Sequence, residues 1–118
     1  MKISKIAELL EAEVLCGADR LDGEVKSACG SDMMSDVLAY VKDQAVLLTG
    51  LLNPQVIRTA VMMDMQCVVF VRGKKPGADV LSLAENCNLT VLSSQERLYT
   101  ACGKLYEAGL RGGDQIEQ

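Results

Sequence analysis

The residues able to hold an anion fall in three short junctions: Gly30-Ser31-Asp32, Thr49-Gly50-Leu51-Leu52-Asn53 and Arg72-Gly73-Lys74-Lys75. Each follows an apolar run and opens onto a helical pattern. A helix start presents unpaired N–H groups and the positive end of a dipole, which together favour an anion. The third junction adds three cations. The chemistry on offer is recognition of a phosphate-bearing or other small anionic ligand. The candidate residues are Ser31, Asp32, Thr49, Gly50, Asn53, Arg72, Gly73 and Lys74. Plainer roles stand beside this one. Asp32 also suits a helix cap or a first-turn charge, and Lys74 and Lys75 suit a solvated loop.

Other chemistries are excluded by what is missing. The chain has no histidine, so Ser-His-Asp and Cys-His catalysis and histidine-ligated metals are ruled out. No G-x-x-x-x-G-K-[ST], G-x-G-x-x-G or G-x-S-x-G motif occurs, which removes the phosphate loop, the dinucleotide fingerprint and the nucleophile elbow. Asp32, Asp36 and Asp64 show no partner across a cleft. The expectation is a non-enzymatic protein without a cofactor.

The five cysteines, Cys16, Cys29, Cys67, Cys87 and Cys102, are separated by 13, 38, 20 and 15 residues. An iron–sulfur cluster needs four thiolates, and these spacings form no local chelating loop. Small apolar core residues are the simpler reading. An odd count without a secretion signal points to a reducing cytoplasm. Five of the methionines, Met33, Met34, Met62, Met63 and Met65, gather on two helical segments. They fill a core or form an adaptable apolar surface for a partner.

The elements that must position these groups are legible from periodicity. Ile6, Leu9 and Leu10 predict a first helix capped by Ser4. Glu13 to Cys16 and Glu24 to Cys29 predict two strands, antiparallel or at an edge. Met34, Val37, Leu38 and Val41 predict a helix running to Lys42. Ala45 to Leu48 and Cys67 to Val71 are apolar at successive positions, as strands buried on both faces are. Asn53-Pro54 is a cap followed by proline at the first helical position, and Val56, Ile57, Ala60, Val61 and Met65 make that helix's stripe. Pro76 opens the next helix, and Thr90 to Leu92 is a strand. Ser93-Ser94-Gln95-Glu96 matches a capping box for a last helix with Leu98, Ala101, Cys102 and Leu105 inward, stopped by Gly109. Alternating strands and helices imply a three-layer α/β/α domain with a mostly parallel sheet of about five strands. It spans residues 1–110, with a flexible tail at 111–118.

A chain of 118 residues with 49% hydrophobic content supports one such domain. A net charge of −4 and 3% aromatics argue against nucleic-acid binding. The apolar runs are too short to span a membrane.

Several stretches carry a resemblance to a known family. They are Gly30-Ser31-Asp32-Met33-Met34-Ser35-Asp36-Val37-Leu38-Ala39, Arg72-Gly73-Lys74-Lys75-Pro76, Leu83-Ala84-Glu85-Asn86 with Val91-Leu92-Ser93-Ser94, and Leu105-Tyr106-Glu107-Ala108-Gly109-Leu110. From about Lys2 to Leu110 the chain resembles the stand-alone DRTGG domain, which is related to the N-terminal domain of HPr kinase/phosphorylase. The family's Asp-Arg pair falls near Leu51-Leu52 and its Thr-Gly-Gly near Val71-Arg72-Gly73, so one glycine of the name-giving motif remains. The resemblance implies a regulatory or assembly module with no catalytic residue to carry over. It implies a homodimer and a larger enzyme partner. Short members are often encoded beside iron-only hydrogenases, and longer ones join the domain to CBS, kinase or acyltransferase domains. The alternatives are a pure dimerisation module without a ligand, or an iron–sulfur accessory protein.

Overall fold

A computed structural model describes residues 1–40 and 44–113. The elements are α1 Ile3–Leu9, β1 Glu13–Cys16, a 3-10 turn Ala18–Arg20, β2 Ser27–Gly30, α2 Met34–Tyr40, β3 Ala45–Thr49, α3 Pro54–Met62, β4 Cys67–Phe70, α4 Ala78–Asn86, β5 Thr90–Ser93 and α5 Leu98–Glu107. Among the described residues the strands make one sheet in the order β1-β5-β4-β3-β2. β2 to β5 are parallel, and β1 adds antiparallel to β5. This is the three-layer α/β/α domain that the periodicity predicts.

The strand order explains the layers. β2, β3, β4 and β5 step across the sheet in one direction, and crossovers of a single hand then place their helices on one face. Accordingly Met34, Val37, Val56, Ile57, Ala60, Val80 and Ala84 of α2, α3 and α4 pack together with Leu47, Val68, Phe70 and Val91. The opposite face is closed by the two ends of the chain. Ile3, Ile6 and Leu10 join Ala101 and Leu105 against Val46, Leu48, Val69 and Leu92. Every residue of β3 and β4 is buried, as their unbroken apolar runs require.

α3 ends at Met62, which leaves Met65 beyond the helix, and β4 ends at Phe70 rather than Val71. Four further boundaries differ from the sequence pattern for a tertiary reason. α1 starts at Ile3 with Lys2 as its cap, so Ser4 lies inside the helix. The N–H groups of Ile3 and Ser4 donate to Gly23 and Leu21 carbonyls instead. β2 begins at Ser27 rather than Glu24, because Glu24 bridges Lys2 and the Val25 N–H donates to the Met1 carbonyl. α4 begins at Ala78 after a Gly77 cap, leaving Pro76 outside the helix. The expected capping box is not one: Ser93 is the last residue of β5, and α5 starts at Leu98 with no side-chain cap. The Asn53 cap holds, its Oδ1 accepting from the Gln55 N–H at 3.0 Å. Gly109 follows α5 with its N–H on the Tyr106 carbonyl. The expected end of α2 at Lys42, and residues 114–118 of the expected tail, lie outside the described residues. Arg111 is docked: its carbonyl accepts from the Ala28 N–H, and its guanidinium lies 3.8 Å from the Tyr106 ring centroid.

One glycine serves no visible purpose. Gly103 sits inside α5, and a Cβ there meets nothing within 4 Å. Gly103→Ala is expected to raise stability by roughly 0.5–1 kcal/mol, because glycine is a poor helix former. Urea unfolding checks it, and a loss of stability would show that Gly103 packs against something.

Candidate functional site

The three junctions come together at the carboxyl edge of the sheet, where ligands of parallel α/β domains bind. Between β4 and β5 the connections part. One runs to α4 on the first face, and the other runs to α5 on the second. The Arg72-Gly73-Lys74 loop stands at that divergence. It is pinned by the Arg72 N–H on the Glu96 carbonyl at 2.7 Å and the Gly73 N–H on the Ser94 carbonyl at 2.8 Å. Arg72 and Gly73 take φ of 63° and 69°. A non-glycine residue in this region is strained and persists only where its surroundings hold it.

Asp32 joins two of the loops. Its Oδ1 accepts from the Gly50 N–H at 2.7 Å and from the Thr49 hydroxyl at 3.0 Å. These bonds, the Gly50 amide foremost, hold its carboxyl below the ordinary range, with help from Thr49 and then Arg72 and Lys74. Asp32 is therefore neither a helix cap nor a lone first-turn charge. It occupies donors that a ligand would otherwise use, and so the anionic group at the end of β3 is built in.

Arg72 reaches into the same cluster. A Cβ on Gly50 would run into its guanidinium, so the absence of a side chain there is what lets Arg72 lie across the β3–α3 loop. Lys74 is exposed, and its carbonyl accepts from the Ser93 hydroxyl at 2.9 Å. Lys75 is paired with Glu13 at 2.8 Å, which leaves Arg72 and Lys74 as the two cations facing Asp32. Ser31 and Asn53 have local structural work: the Ser31 Oγ accepts from the Met33 N–H at 3.0 Å, and Asn53 caps α3. Gln95, which the sequence pattern assigned to a capping box, instead lies against Gly73. No sequence signal marks it, because its position follows from where β5 ends.

Asp32→Ala is expected to cost about 1–2 kcal/mol at neutral pH, since the Gly50 and Thr49 donors lose their acceptor. The effect has a definite pH sense. A carboxyl held below its ordinary value stabilises fully above the unfolded value, and loses this as pH falls through the folded one. Asp32→Asn should therefore show a shallower acid limb than wild type in denaturation measured across pH. Parallel limbs would refute the assignment.

The thiols do not gather at one point: Cys29 neighbours Cys102, and Cys16 neighbours Cys67. Cys67 is buried in β4, and burial pushes its thiol well above the ordinary range. Burial also pushes up Cys16, Cys29 and Cys102, while Cys87 is exposed. Among the described residues no group of three or more His, Cys, Asp or Glu side chains could hold a metal ion. No helix among them is long and apolar enough to cross a membrane.

Parallel strands between two helical layers, with polar loops gathered at the carboxyl edge, define a small three-layer α/β/α domain. A DRTGG domain model matches residues 5–108, and the chain belongs to the DRTGG domain family. No curated protein matches it. Among solved structures it is similar to the CBS and DRTGG domains of the regulatory region of Clostridium perfringens pyrophosphatase, complexed with the activator diadenosine tetraphosphate. That likeness has a TM-score of 0.70 at 14% identity and covers 98% of this chain. The chain spans about half, 52%, of that structure's length.

Proposed function

We propose that this chain is a non-enzymatic regulatory module that senses a small anionic ligand, of the nucleotide phosphate kind, at the carboxyl edge of its sheet. The observation that carries the reading is Arg72 lying across Gly50 beside Asp32, with Lys74 near. Two cations against one carboxylate make a locally positive site on a chain of net charge −4. Its activator-bound structural relative supports a nucleotide as the first ligand to try. Binding at the loops would pass to a larger enzyme, such as a hydrogenase, through the domain's surface in a cytoplasmic complex.

Calorimetry and thermal shift with AMP, ATP and diadenosine tetraphosphate test this. Wild type should gain thermal stability with millimolar ligand, as any ligand bound only by the folded state requires. Arg72→Ala should weaken binding about tenfold or more, as should Gly50→Ala, whose Cβ displaces the guanidinium. Absence of heat and shift at millimolar ligand would end the proposal.

A second reading has its own observation. Met33, just before α2, Leu38 on α2, and Val61 and Met62 on α3 are 60%, 42%, 45% and 71% exposed, whereas Met34 and Met65 are buried. The methionines thus divide between core and surface, and Val61 leaves the expected buried stripe. We propose that this face seats a second copy of the chain. Light scattering should give a dimer mass, and Met62→Glu should reduce it to a monomer that still unfolds cooperatively. A monomeric wild type removes this reading.

A further inference from the structure

The sheet edge opposite the carboxyl loops carries another cationic feature. Arg20 ends the 3-10 turn after β1, and with Ile3, Gly23, Gln66, Asn88 and Thr90 it lines a cavity of about 440 Å³, a volume in the range of small-molecule sites. Its Nη1 faces the Asp19 carboxylate at 3.3 and 3.4 Å. Its Nε and Nη2 are buried and meet no acceptor among the described residues. These two nitrogens share one edge of the guanidinium. Their N–H bonds run side by side and match both oxygens of a single carboxylate. Buried donors of a charged group are costly when unpaired and require an explanation.

Local charge selects the ligand class. Asp19 touches Arg20. Glu85 is in the same neighbourhood, since it and Arg20 both act on the Cys16 thiol, which is pushed up mainly by burial. With one cation beside two carboxylates, a dianion such as phosphate is repelled more strongly than a monoanion, whose binding rests on the paired hydrogen bonds of the free edge. Ile3 offers an apolar wall for a short carbon chain. The amides of Gln66 and Asn88, both exposed, can turn toward a ligand's polar groups or away from the guanidinium edge.

We propose that this cavity binds a small organic monocarboxylate, its two oxygens on Nε and Nη2 of Arg20 and its carbon chain against Ile3. The site is separate from the carboxyl-edge cluster, and neither reading depends on the other.

The test is NMR titration of the ¹⁵N-labelled full chain with sodium propionate, with phosphate and chloride at matched ionic strength. Propionate should shift the Arg20 Nε–H resonance and the Gly23, Gln66 and Thr90 amides saturably. Arg20→Lys keeps the charge but loses the paired edge, and should bind about tenfold more weakly or worse. A linear response to propionate, an equal response in Arg20→Lys, or a tighter saturable response to phosphate would overturn the proposal. Arg20→Met supplies a readout without ligand. Loss of the exposed Asp19 pair by itself leaves the thermal midpoint nearly unchanged, so a clear fall shows a partner for the Nε–Nη2 edge within the chain and overturns the proposal as well.

Discussion

Phe70→Ala is expected to remove about 3–5 kcal/mol of stability, the range for deleting a buried aromatic ring. The chain as a whole holds roughly 5–15 kcal/mol, so this one substitution brings it near the unfolding threshold. Phe70 is the one phenylalanine of the chain and has no exposed surface. Its ring belongs to the layer packed by α2, α3 and α4. The rest of that layer is built of aliphatic side chains and methionines, with no second aromatic ring to take its place. Its backbone matters as well. Phe70 is in register with Thr49 on one side and Ser93 on the other, and its carbonyl accepts from the Ser94 N–H at 2.9 Å. Two residues later the chain reaches Arg72. Loosening the end of β4 should therefore weaken ligand binding at the carboxyl edge together with the fold. Urea unfolding measures the first effect, and calorimetry of the surviving folded protein measures the second. A loss below about 1.5 kcal/mol would mean that the core collapses around the gap.

Gly17→Val should destabilise by about 3 kcal/mol, from backbone strain and steric overlap acting together. Gly17 has φ of 82°, where a β-branched residue is strongly disfavoured. The space is also taken. A Cβ there would stand 2.7 Å from the Cα of Thr90, and backbone cannot swing away as a flexible side chain can. The Thr90 hydroxyl donates to the Gly17 carbonyl at 3.3 Å, so the turn is tied to the start of β5. Displacing it disturbs the β1–β5 pairing, which already carries a register shift between Val14 and Cys16. Gly17→Ala should retain most of the effect, because both causes begin at Cβ. A wild-type midpoint for Gly17→Val would show that the turn can lift off β5. The contrast with Gly103→Ala, expected to stabilise, separates a glycine required by the fold from one that is not.

The central architecture was legible in the residues alone. Unbroken apolar runs at Ala45–Leu48 and Cys67–Val71 can bury both faces only in a covered parallel sheet, and the helical spacing between them supplies the crossovers. Asn53-Pro54 and Gly109 carry local conformational requirements that tertiary contacts leave in place. The clustering of cations after β4 was equally plain, and so was family membership from its matching stretches.

Tertiary structure decided how polar groups are used. A serine followed by Asp32 reads as a helix start, yet Asp32 turns to the Gly50 amide because the parallel pairing of β2 with β3 brings the ends of those strands together. Ser93-x-x-Glu96 has the composition of a capping box, but β5 extends through Ser93 and commits that hydroxyl to the Lys74 carbonyl. Ser4 could cap α1, but pairing of the chain start with residues 21–25 moves the helix boundary to Ile3. The division of the methionines between core and surface, and the unpaired edge of Arg20, likewise depend on which face each element turns inward. Hydrophobic periodicity is a local property that repeats along the chain. A hydrogen-bond partner is set by distance in the folded molecule, and no local pattern records it.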